Sequence, residues 1–192
     1  MTGTQARGGG PVRVAAALVT INRVIAVLAG MALLATVALI LLEIVLRQTS
    51  IGSLGGADEI SGYVMAGVAT WGFSFALTER AHVRIDILQL RLSTAGRALF
   101  DLLALASLSG IACLVAFYSW DVLGKTLARG SHANTPLGTP LWIPQSIWFA
   151  GWVWLALVSA VLLVCIVVSA LGRDWQAVRD VAGDGGEAGE IP

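Results

Sequence analysis

Three stretches of the chain, residues 24–42, 60–78 and 102–120, run without a single charge, and a fourth, 130–172, is uncharged from end to end. Crossing about 30 Å of hydrocarbon takes about 20 apolar residues in a helix, so each stretch is long enough to span a bilayer. The first third of the fourth carries Pro136, Pro140 and Pro144, which places its helix start near Gln145. The runs are continuous and not alternating, unlike the strands of a membrane barrel. With no water in lipid to satisfy the backbone, helices are the remaining solution. The pattern predicts an all-α integral membrane protein with four transmembrane helices at about 22–46, 59–79, 97–120 and 145–171. The first run exceeds the h-region of a secretory signal, and Glu43 and Arg47 follow it where small cleavage-site residues would stand. It is read as a retained anchor.

Composition agrees with that reading. Of 192 residues 57% are hydrophobic and 12% charged, about half the charge of an ordinary soluble domain. Mean hydropathy is +0.82. Twelve basic and twelve acidic residues cancel, so a nucleic-acid partner has no electrostatic footprint. Cys113 and Cys165 lie far apart in apolar runs, and neither His82 nor His132 lies in a spanning run. Disulfide, metal and haem sites are therefore not expected, and neither is any cofactor or catalytic group. The chain divides into a disordered N-terminal tail (1–20), a four-helix membrane domain (21–172) and a disordered acidic C-terminal tail (173–192).

Basic residues set the orientation. Arg7, Arg13, Arg23, Arg80, Arg84, Arg91, Arg97, Arg173 and Arg179 fall on one side, against Arg47, Lys125 and Arg129 on the other. Both termini and the middle loop are thus expected in the cytoplasm. Within that loop, Val83, Ile85, Ile87, Leu88, Leu90 and Leu92 interleave with Arg84, Asp86, Gln89 and Arg91, the composition of a short interfacial segment between helices two and three. Ser93 is a candidate N-cap for helix three.

Ionisable residues near the bilayer are functional candidates by default. Glu43 and Arg47 stand four apart at the outer end of helix one, in the favourable acid-first order. They read either as a pair orienting the helix end, which should tolerate exchange of its charges, or as contacts for a partner subunit. Asp58 and Glu59 precede helix two, where they complement its dipole or dock an external partner. Asp101 follows Arg97 by one turn and reads as a pair at the cytoplasmic end. Gly62, Ala66, Thr70 and Ser74 recur every four residues, a stripe suited to packing within the bundle or against another subunit. Trp120, Trp142, Trp148 and Trp152 suit an outer aromatic belt, whereas Trp71 and Trp154 lie deeper, between helices.

Glu43-Ile44-Val45-Leu46-Arg47, then Asp58-Glu59, Trp71 and the string Ala81-His82-Val83-Arg84-Ile85-Asp86 resemble the small membrane subunit, Q-type or DctQ-like, of tripartite ATP-independent periplasmic (TRAP) transporters. The resemblance covers residues 20–171, and the Ala-His-x-Arg-x-Asp string is its most specific part. It implies a small permease subunit in a bacterial inner membrane that scaffolds a large M-type permease for sodium-driven uptake of an organic acid. The other implied partner is an extracytoplasmic P-type solute-binding protein. Glu43, Arg47, Asp58, Glu59, Trp71, His82, Arg84 and Asp86 are the structural or subunit-interface candidates. Two rival classes remain. A stand-alone exporter acting as a homodimer would want an acid near the middle of helix one, and a membrane thiol oxidoreductase would want paired cysteines in external loops.

Overall fold

The computed structural model describes residues 10–49, 52–79 and 94–172, the side chains at 94, 95, 97 and 98 excepted. They form four helices: α1 (Gly10–Gln48), α2 (Ala57–Thr78), α3 (Thr94–Arg129) and α4 (Trp142–Leu171). Each contains a stretch long and apolar enough to cross a membrane. No strand occurs among the described residues, which hold one isolated bridge, His132 to Pro140. The interfacial segment expected in the middle loop, the Ser93 cap and the C-terminal tail lie outside the described residues.

Helix bounds differ from the uncharged runs: α1, α2 and α3 extend beyond theirs, whereas α4 occupies only Trp142–Leu171 of the fourth. α1 begins at Gly10 and not near residue 22, so residues 10–20, read as tail from the sequence, are helical. Pro11 sits in the first turn, where its missing N–H costs nothing, and Ala15, Ala16, Ala17 and Leu18 are strong helix formers. α3 continues to Arg129, nine residues past Trp120. Asp121 and Lys125 pair one turn apart at 2.5 Å, and Leu123 and Thr126 keep a buried face beyond the hydrocarbon. Gly130, at φ +58°, then closes α3: its N–H donates to the Leu127 carbonyl and that of Ser131 to Thr126, the paired cap that a left-handed glycine permits. α4 starts at Trp142 with Pro144 in its first turn.

Three helices carry charges twenty residues apart with none between: Arg23 and Glu43 on α1, Glu59 and Glu79 at the ends of α2, Asp101 and Asp121 on α3. Twenty residues of helix rise about 30 Å, the thickness of the hydrocarbon core. Those charges mark two boundary planes.

The helices do not close into a ring. α3 packs along α4, α1 along α2, α2 also against α4, and α1 meets α4 more briefly, whereas α3 makes no comparable contact with α1 or α2. Across the molecule the order is α1, α2, α4, α3. In its most apolar stretch α4 has 39% of its residues buried, against 6% in α1 and 11% in α3, so α4 is the central helix. The buried stripes repeat as in a coiled coil: Leu105, Ser109, Ala112, Ser119, Leu123 and Thr126 on α3, and Leu155, Val158, Leu162, Cys165 and Ser169 on α4. Spacings of three and four keep one stripe of each helix on its neighbour. Leu18 of α1 joins Leu105, Val158, Leu162 and Ile166 in one apolar cluster.

Candidate functional site

The polar side chains gather at the two boundary planes and in one band that ties α1, α2 and α4 together. The buried face of α1 passes through Leu18, Asn22 and Thr36 to Glu43 at the plane that Glu43, Glu59 and Asp121 mark, so this face ends in a carboxylate. Glu43 is 4% exposed. Its Oε1 accepts from Arg47 Nε at 2.6 Å and from the Ser53 hydroxyl at 2.5 Å, and its Oε2 accepts from the Leu54 N–H at 2.7 Å. A buried carboxylate is tolerable when paired and hydrogen-bonded in this way. The result is that one side chain of α1 holds the loop entering α2. Gly52 and Gly55, at φ +152° and +69°, give that loop the left-handed backbone its short path requires.

The segment between α3 and α4 is fastened to the same place. Its N–H of Ala133 donates to Thr139 O and that of Leu141 to Ser131 O, both within 3.0 Å. The Thr135 hydroxyl donates to Glu59 Oε2, while Tyr63 donates its OH to Oε1 at 2.7 Å. A Cβ on Gly56 would fall inside the Leu137 side chain, so the two loops interlock where a side chain is missing. Asp58 is exposed beside them. The acid at the first turn of α2 thus does more than complement the dipole: Glu59 latches α2 to the segment between α3 and α4.

Between the two planes α2 and α4 run parallel and approach closely. The Trp71 indole donates to the Ile147 carbonyl at 3.1 Å, and a Cβ on Gly151 would come within 2.7 Å of Thr70 Cβ. The sequence stripe divides here. Thr70 and Ser74 are buried against neighbouring helices, whereas Gly62 and Ala66 are exposed.

The polar band centres on Asn22, which is fully buried. Its Nδ2 donates to the Ser74 carbonyl and to Thr78 Oγ1, both at 3.1 Å, and its Oδ1 accepts from Trp154 Nε1 at 2.8 Å and from Ser74 Oγ at 3.2 Å. One amide therefore joins three helices. The next residue, Arg23, forks onto Glu79 with Nε and Nη2 at 2.5 and 3.3 Å from the two carboxylate oxygens. Sequence reasoning missed Asn22. Its signal was register: it lies four residues after Leu18 on the stripe that ends at Glu43, where an amide must find partners.

Of the sequence candidates, the structure brings Glu43 and Arg47 together, sets Glu59 against the loop between α3 and α4 and Asp58 at the surface, and engages Trp71 with α4. His82, Arg84 and Asp86 lie outside the described residues. Among the described residues no group of three or more His, Cys, Asp or Glu could hold a metal ion. What the arrangement does is positional: each polar group fixes a helix end, a loop or a crossing.

Residues 36–169 match the family described as tripartite ATP-independent periplasmic transporters, DctQ component. The chain belongs to the DctQ family. No curated protein and no solved structure matches it. As a DctQ component it is a small permease subunit of a TRAP transporter, a multi-pass membrane protein and part of a transport system. The matched stretch opens at Thr36, so it contains the Glu43 frame, the α2–α4 crossing and Trp154, but not Asn22 or Arg23.

Proposed function

We propose that this DctQ subunit is the fixed brace of a sodium-driven transporter for an organic acid in a bacterial inner membrane. In this reading it lies beside a large M-type permease that carries substrate and sodium, both its termini are cytoplasmic, and its external loops are offered to a P-type binding protein. One observation carries the proposal: the three bracketed spans hold no charge over about 30 Å, and the polar side chains Asn22, Trp71 and Trp154 hold helix to helix. Carriers bind ions and acids at midplane, with broken helices and polar groups there. A subunit lacking charges in that zone is suited to holding position, and its wide apolar faces on α1 and α3 suit lipid and a membrane partner.

Reconstitution tests it. The large permease with this subunit and the binding protein should take up a carboxylate on a sodium gradient, and omission of this subunit should abolish uptake while leaving substrate binding to the soluble protein intact. A purified homodimer of this chain that transports alone in vesicles would overturn the brace in favour of a stand-alone exporter.

A further inference from the structure

We draw no further inference here: the strongest candidate, the exposed strip of small residues along α2 at Gly62, Ala66 and Ala69, carries nothing because nothing in the structure shows what covers it.

Discussion

Replacing Asn22 by Ala should loosen the junction of α1, α2 and α4 more than any other single truncation on α1. Three residues on other helices lose a partner: Ser74, Thr78 and Trp154. Interhelical hydrogen bonds in membrane proteins average about 0.6 kcal/mol each and reach about 1.7, so the four made by Asn22 give about 2.4 kcal/mol and at most about 7. The losses are unequal. Ser74 Oγ retains the Trp71 carbonyl, 2.8 Å away, and Thr78 Oγ1 retains Ser74 O and Phe75 O. The Trp154 indole has no other partner among the described residues, and an orphaned buried donor costs about 1–3 kcal/mol. The expected total is about 2–4 kcal/mol, with the Trp154 share decisive. A cycle therefore isolates it: Asn22→Ala, Trp154→Phe and the double variant, unfolded reversibly in mixed micelles. Once Phe has removed the indole N–H, Asn22→Ala should cost about 1 kcal/mol less than in the parent. Additivity within about 0.3–0.5 kcal/mol, the agreement expected of independent sites, would refute the claim that the two side chains act as a unit.

Three further outcomes follow from the geometry. Gly151→Leu should separate α2 from α4 and cost about 1–3 kcal/mol or more, because its side chain has nowhere to go beside Thr70; disulfide crosslinking between engineered cysteines on the two helices would show the loss, and partial recovery with Thr70→Gly would identify the collision as its cause. Gly130→Ala should cost about 1–2 kcal/mol through its left-handed backbone, with faster proteolysis in residues 130–141 and no change in the crosslinking of α1 to α2. Reporter fusions at Ser53 and Asn134 should register the external side and a fusion at Ser93 the cytoplasm; the reverse pattern would overturn the orientation drawn from the arginines.

The number and type of helices were legible because lipid imposes one rule on every residue of a span, and a run such as 102–120 obeys it without exception. Helix ends were not, because a charge ends a hydropathy run without ending a helix. Asp121 stops the third run, yet it supports the next turn through Lys125, and Arg13 and Arg23 interrupt α1 only on paper. Candidate residues were legible where the partner is local, as with Arg47 four residues from Glu43. They were illegible where it is distant in sequence: Thr135 is 76 residues from Glu59 and Trp154 132 residues from Asn22. The neighbour order was illegible too. Nothing in the hydropathy pattern says which spans adjoin, and the close approach at Gly67 and Gly151 draws α2 onto α4.

The Glu43–Arg47 pair separates two accounts of the boundary where α1 ends. A simple ion pair on one helix face depends only weakly on which residue is the acid, so exchanging the charges should restore most of what either single reversal destroys. The structure predicts the opposite. Arg47 is half exposed, its side chain 56% accessible, whereas that of Glu43 is 5%, and the buried carboxylate also accepts from Ser53 and from the Leu54 N–H. An arginine at 43 would bring five donors and no acceptor to a site that already presents a hydroxyl and an amide, and a glutamate at 47 could not reach both. Leaving a buried cation facing donors costs about 3–5 kcal/mol, more than the pair itself returns across a boundary half open to water. The double exchange should therefore be as defective as Glu43→Arg alone in assembling with the large permease. Glu43→Gln should be milder, since its amide oxygen still accepts from Leu54 or Ser53, and Ser53→Ala milder again, at about 1 kcal/mol. Recovery of assembly by the exchange would show that the loop contacts are incidental and that Glu43 serves only its neighbour on α1.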